Sequence, residues 1–485
     1  MNLYSPAQIQ SHEKRLFADG VASCALMEQA GLAVWRHIER RWSGRPSLVV
    51  VVGPGNNGGD GLVIARLARE AGWPVSLAGP MDLERFKGDA AIQAEKWRAA
   101  GGGKISRSTS VLAHADLVVD ALFGIGLSRA VDGEAGEWVA AINAVDAPVV
   151  SVDVPSGLDA ATGQAPGPAV KAELTVTFIA AKFGLFTGDG CEYAGEVCLE
   201  SLDMPPPVEP PLARLIDHSA DPLPKRHRNS HKGTFGSTLV LGGNLGMSGA
   251  ARLAGEAALR VGSGKVFVGT RHEHAALLNI GRPELMVHGI ADEVALQALL
   301  AKATVLALGP GLGQDDWAKW VCRQAMQVRR PMVLDADALW LIDRNRLHRD
   351  DVVYTPHPGE AAAMLGTTPA RIQANRLAAV QALQREYGGV VVLKGAGTLV
   401  ADKDSVTVCP AGNPGMASGG MGDVLTGVIA GLLAQGLSAS EAARRGVCLH
   451  AVAADQVAAA QGERGLLASD LFAPMQQRLN QIEGA

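Results

Sequence analysis

Short runs of β-branched residues recur along the whole chain, each stopping at glycine or a polar residue and each followed by a helix-like stretch. In the first half they are SLVVVV (47–52), DLVVD (116–120), PVVSVD (148–153) and LTVTFI (174–179). A second series reads STLVLGG (237–243), KVFVG (265–269), TVLALG (304–309), PMVLDAD (331–337), VVYT (352–355) and VVVLKG (390–395). Continuous apolar strands joined by crossover helices must be buried on both faces, which is the condition of a mostly parallel sheet. The pattern therefore predicts an α/β chain. Its 58 glycines cluster where strands turn into helices, so the backbone is expected to approach something closely at several places.

Between the two series lies MPPPVEPPL (204–212). A proline cluster cannot enter a helix or a central strand, so the boundary is placed there. The expected division is a first domain over 1–215, a linker to about residue 225, and a second domain over 225–485. The 485 residues also exceed what one hydrophobic core usually supports. A formal charge of -5 without a long basic run excludes nucleic-acid binding as the main task. No apolar run is long enough for a membrane span. The polar start MNLYSPAQIQSHEKR has no secretion signal. Six cysteines without CxxC spacing read as reduced thiols. A cytoplasmic protein is expected.

The first glycine motif is VVVVGPGNNGGDGLVIARLARE. A buried strand ends at Val52, a glycine-rich turn follows, and a helix is expected from about Gly61. The turn is neither GxGxxG nor a Walker A loop. It offers Asn56, Asn57 and Asp60 with Gly58 and Gly59: neutral donors and acceptors with one carboxylate, suited to a polar ligand or a cation. Two more strand ends carry Asp120, before a glycine loop running through Gly126 to Arg129, and Asp153, with Ser156 three residues on. Ligands of open parallel sheets sit beyond the carboxyl ends of the strands, so these ends define one pocket. A lone strand-end Asp is often only a cap; three with matching loops are more than that. Lys182, after the fourth strand, reads equally as a solvated lysine or as a site residue.

In the second half CPAGNPGMASGGMGDVLTGVIAGLLAQG is the most informative stretch. A buried helix is expected from Val424, with GGMGD at its start. Free amides of Gly420, Met421 and Gly422 there form an anion hole for a phosphoryl group. Asp423 stands where a kinase-type base would take a proton from an attacking hydroxyl. Lys394, at a strand end before Gly395, Ala396, Gly397 and Thr398, suits nucleotide phosphates. His357 lies in the proline-bounded loop TPHPGE, Gly311 in the turn GPGLG, and Ala250 at the opening of the domain's first helix. Asp335 and Asp337 follow a strand, where magnesium or phosphate is a possible ligand.

NNGGDG, DALFGIGL and SVDVPSGLDAATG resemble the signature segments of the NAD(P)H-hydrate epimerases, over roughly residues 1–215. The resemblance implies a Rossmann-like three-layer domain. It makes Asn56, Asn57, Gly58, Gly59, Asp60, Gly124, Ile125, Gly126, Leu127, Ser128, Arg129, Ala130 and Asp153 contacts of the hydrate. It makes Asn57, Asp120 and Ser156 ligands of K+, and Asp153 the acid/base group. HKGTFG, GGNLGMSGA, GPGLG, LDADAL, TPHPGE, KGAG and GGMGDVLTG resemble, in order over 225–485, the ribokinase-like NAD(P)H-hydrate dehydratases. That implies Ala250, Gly311, His357 and Asp423 as hydrate contacts, with Asp423 catalytic. It implies Lys394, Gly395, Ala396, Gly397, Thr398 and Gly422 as nucleotide contacts, with Mg2+ and ADP as co-substrate. Trp340 and Met421 depart from the family's usual asparagine and threonine; the second loses a hydroxyl and keeps the amide. The implied partners are the small molecules NADHX, NADPHX and ADP, in a homo-oligomer. Two other readings remain open: a small-molecule kinase with an accessory N-domain, and an N-domain that only binds.

Overall fold

The computed structural model describes residues 1–126, 130–216, 223–342 and 348–480. The chain divides into two compact units, Met1–Arg214 and Leu215–Ala485.

In the first unit six strands form one parallel sheet in the spatial order Val75–Ala78, Leu48–Val52, Leu117–Ala121, Val149–Val152, Leu174–Phe178, Glu196–Glu200. Every residue of LVVVV is buried, as an all-apolar central strand requires. Helices Ser23–Arg41, Asn56–Glu70 and Asp89–Ala99 cover one face around Val34, Leu62 and Trp97. The other face is covered around Trp138 and Ile142 of helix Gly133–Asn143. The chain leaves Leu48–Val52 toward one side of the sheet and returns on the other at Leu117–Ala121. That reversal opens a crevice at the carboxyl ends of these two strands.

The helix after Leu48–Val52 begins at Asn56, five residues earlier than the sequence suggests. Gly58, Gly59 and Gly61 are therefore helical and buried rather than turn residues. Close approach demands them. A Cβ on Gly58 would stand 2.0 Å from the Gly53 carbonyl oxygen, and one on Gly61 2.7 Å from the Ala121 Cβ. The glycines let the helix start lie directly on the strand ends.

In the second unit seven parallel strands run in the order Met286–Gly289, Lys265–Thr270, Ser237–Leu241, Val305–Leu308, Met332–Leu334, Val352–Tyr354, Val390–Leu393. Thr398–Ala401 and Val406–Cys409 add an antiparallel hairpin. Helices Ser248–Arg260 and Met421–Ala434 pack against each other on one face. A Cβ on Gly427 would stand 2.0 Å from the Ala254 carbonyl oxygen. No helix among the described residues is long and apolar enough to cross a membrane.

Candidate active sites

In the first unit the three strand ends meet. Asn57 Oδ1 and Asp153 Oδ2 lie 3.1 and 3.4 Å from the point where a Gly124 Cβ would stand. The loop, the helix start and the Asp153 carboxylate thus converge at Gly124. Asn57 is 8% exposed and its Nδ2 has no hydrogen-bond partner among the described residues. An unpaired buried amide costs about 1–3 kcal/mol, a cost that a polar ligand would offset.

Asp153 adopts a left-handed conformation at φ 68°, uncommon for a residue with a Cβ though better tolerated by Asp than by most. Its Oδ1 accepts from Lys182 Nζ at 2.5 Å, Thr177 Oγ1 at 3.2 Å and the Phe178 amide at 3.3 Å. Lys182 is 1% exposed and also donates to the Phe178 carbonyl. Of the two readings that the sequence left for Lys182, the structure takes the buried one, beside Asp153.

Asp120 is fully buried. Its oxygens accept from Ser151 Oγ, Ser156 Oγ, and the Ser156 and Leu122 amides. Burial nevertheless leaves its carboxyl above the usual range, and among the described residues no ion pair reaches it. Asp60 is raised further, by burial and then by Asp153 and Glu13. Glu13, on helix Pro6–Ala18, is raised by burial and by Asp153. No motif pointed to Glu13. Asn56, Gly126 and Ala130 are exposed and Ile125 half-buried; Leu127, Ser128 and Arg129 lie outside the described residues.

In the second unit helix Met421–Ala434 starts three residues before Val424, with Gly420 left-handed at its N-cap. The first intrahelical bond from this end joins the Val424 amide to the Gly420 carbonyl. The amides of Met421, Gly422 and Asp423 are therefore free of the helix ladder, an arrangement suited to an anion. A Cβ on Gly422 would stand 3.4 Å from Lys394 Nζ, so lysine and anion hole adjoin. Lys394 is not a solvated strand-end lysine. It donates to Asp335 Oδ1 at 2.8 Å and lies 3.8 Å from Glu360 Oε2. Burial lowers its pKa, but Asp335 and Glu360 outweigh that and hold the ammonium above its ordinary value.

Asp335, expected near magnesium or phosphate, is 1% exposed. Its oxygens are taken by Lys394, Thr355 and Thr426, which makes it a counter-ion rather than an open metal ligand. Asp337 Oδ2 accepts from the Gly313 amide. Asp423 answers to all three charges: burial, then Asp335, opposed by Lys394, then Asp337, push it up to about 7. A carboxylate at that value is matched to general-base work at neutral pH.

Gly311 is left-handed, and its Cβ position lies 3.1 Å from the Ala250 Cβ, which brings those two expected contacts together. His357 is not in a loop but is the N-cap of helix Pro358–Met364. Its Nδ1 accepts from the Gly359 and Glu360 amides, and its ring is exposed. Thr398 Oγ1 closes the 395–398 turn on the Gly395 carbonyl. Gly397 is buried, Gly395 and Ala396 exposed. Sequence reasoning passed over His450. Burial drives this ring down to about 4, and its backbone contact is to Met421, so a neutral imidazole backs the helix start.

Comparison with known proteins follows the same division. A family described as NAD(P)H-hydrate dehydratase matches residues 238–477, and one described as YjeF-related protein N-terminus matches 23–184. The chain is 44% identical over 484 residues to a bifunctional NAD(P)H-hydrate repair enzyme of Coxiella burnetii, covering 99% of each. It is 43% identical over 467 residues to the enzyme of that name from Escherichia coli, covering 95% of this chain and 90% of that one. Among solved structures, an ADP/ATP-dependent NAD(P)H-hydrate dehydratase from Bacillus subtilis, co-crystallized with ATP and Mg2+, is 30% identical. It superposes with a TM-score of 0.50 over 56% of this chain and 99% of that one.

Proposed function

Since this chain belongs to the family of bifunctional NAD(P)H-hydrate repair enzymes, we propose how its two sites divide the work on hydrated NADH and NADPH. The first unit epimerises the hydrate at the hydroxyl-bearing ring carbon, C6. The second dehydrates the S epimer at the expense of a nucleoside phosphate, ADP in our reading.

The observation that carries the second assignment is Asp423, poised near 7 beside free helix amides and Lys394. Asp423 takes the proton of the C6 hydroxyl, and that oxygen attacks the terminal phosphorus of ADP, releasing AMP. The amides of Met421, Gly422 and Asp423 and the Lys394 ammonium face the charge that develops on the phosphoryl oxygens. The ring nitrogen's lone pair then breaks the C6–O bond and phosphate leaves. Loss of the C5 proton restores the ring double bond. Mg2+ would enter with the nucleotide, whose phosphates supply oxygen ligands; Asp335, its charge already paired with Lys394, would remain a counter-ion. Ala250, Gly311 and exposed His357 line the hydrate side, and Gly395–Thr398 the nucleotide side.

In the first unit Asp153 is the acid/base group, held in place by Lys182. Asn57, Asp120 and Ser156 would hold K+. The fit is chemical: oxygen donors suit an alkali ion, and Asp120 is a buried carboxylate with no counter-charge among the described residues. K+ bound there would supply that charge. A cytoplasmic homo-oligomer is the setting this reading implies, and the six cysteines are free thiols.

The test is to incubate the full chain with mixed hydrate epimers, ADP and Mg2+, following NADH absorbance, AMP and phosphate. One AMP and one phosphate per NADH is expected. A phosphorylated hydrate that persists would mean a kinase instead.

A further inference from the structure

Helix Pro6–Ala18 carries Ile9 and Glu13 one turn apart, hence on one face. Ile9 packs with Tyr4, Ala180 and Ile125 of the glycine loop. Tyr4 is in register with Lys182 across the strand pair formed by Asn2–Tyr4 and Ala181–Lys182. The face bearing Glu13 is thereby tied to the Gly124 loop on one side and to the Lys182–Asp153 pair on the other.

We propose that Glu13 is a catalytic residue of the epimerising site, the general acid that works opposite Asp153. This rests on the reading of the first unit as the hydrate epimerase.

The charge balance requires such a group. Glu13, Asp60 and Asp153 crowd one buried region with a single ammonium, Lys182, and that ammonium is bound to Asp153 at 2.5 Å. Asp60 is 8% exposed and has no hydrogen bond from its carboxylate among the described residues. Asn57, also 8% exposed, brings an unpaired Nδ2 to the same convergence of loop and Asp153 carboxylate. Like charges that share a site cannot all ionise, and paired carboxyls pushed apart divide the acid and base roles. Asp153 is the one bound to an ammonium. Glu13 and Asp60 are both raised, by burial first and by Asp153 next, which favours their protonated forms. Glu13, half-buried, is the one open to substrate, whereas Asp60 is buried.

The step balances. Glu13 gives its proton to the C6 hydroxyl, the C6–O bond breaks as the ring nitrogen's lone pair forms a C=N bond, and water departs. Water adds to the opposite face of C6, and Asp153 accepts the proton that it loses. That proton returns to Glu13, so nothing is consumed.

The experiment uses the full chain without nucleotide, so dehydration is silent, and follows interconversion of the separated R and S hydrates by chromatography. Glu13→Gln should lower kcat on the order of 100-fold with KM little changed. The fall of kcat with rising pH, present in the wild type, should vanish. Glu13→Asp, which keeps the carboxyl, should recover at least a tenth of the wild-type rate. Dehydration of the S epimer with ADP should be unchanged in both. A wild-type rate and pH profile in Glu13→Gln overturns the proposal, as does an equal loss in both variants, which would mark a structural role. A wild type that does not interconvert the epimers would instead remove the reading on which the proposal stands.

Discussion

Asp423 is held near 7 by burial and by two neighbouring carboxylates, and this has two opposed consequences. As a base it must be ionised, so the dehydration rate should rise with pH through about 7 and level off above it. A flat profile between pH 5.5 and 8.5 would contradict that role. For stability the sign reverses. The folded pKa is raised from the ordinary 3.8, so the favourable contribution is full below about 4 and is lost as pH rises through about 7. Asp423→Asn should therefore lose 10²–10⁴-fold in dehydration yet unfold at a higher temperature than wild type at pH 8, by on the order of 2–4 kcal/mol. Epimerisation should be intact. Asp153 behaves differently, because it neutralises Lys182. Asp153→Ala strands a buried ammonium and should cost about 3–5 kcal/mol. Asp153→Asn combined with Lys182→Met should restore the thermal unfolding midpoint without restoring epimerisation. Recovery of activity in that double variant would remove Asp153 from the chemistry.

At the scale of elements, two helices carry the sites, and glycine decides how closely each can seat. Helix Asn56–Glu70 presses its first turn onto Gly53, and helix Met421–Ala434 presses Gly427 onto Ala254. Backbone stands at both contacts, so no side chain can rotate away. Gly58→Ala should displace the Asn57 amide and stop epimerisation; Gly427→Ala should shift the anion hole and weaken dehydration. Each should cost about 1–3 kcal/mol as overpacking, read by thermal unfolding alongside the two rates. Normal rates in either variant would show that the contact is slack. The glycines of NNGGDG were visible in the sequence, but their task was not. They read as turn formers, and only the position of the Gly53 carbonyl shows that they serve helix-to-strand approach.

For the whole molecule, the two activities lie on separate compact units, and the hydrate is a diffusible small molecule. The wild type should carry a mixture of epimers to completion. Asp153→Asn should convert the S epimer fast and then slow to the spontaneous rate of interconversion. Mixing Asp153→Asn with Asp423→Asn protein should restore complete conversion, because each variant supplies the site that the other lacks. A mixture that stalls like Asp153→Asn alone would mean that the hydrate does not pass between molecules.

The sequence by itself determined the α/β class, because runs such as LVVVV and VVVL have no polar face and must be buried on both sides. It also singled out Asp120, Asp153 and the GGMGD helix start as candidate site positions, since these are local features in which residue type and position coincide. Groups whose role depends on a distant neighbour were decided by the tertiary structure alone. Lys182 is a lysine after a strand until Asp153 closes on it, and Lys394 reads only as a phosphate contact until Asp335, from a strand end, and Glu360, from helix Pro358–Met364, meet it. His357 becomes a helix cap only when Pro358 continues as a helix. Glu13 sits on a short amphipathic helix with no motif, far in sequence from Asp153. Electrostatic coupling acts through space and is set by burial, so no local pattern of residues announces it.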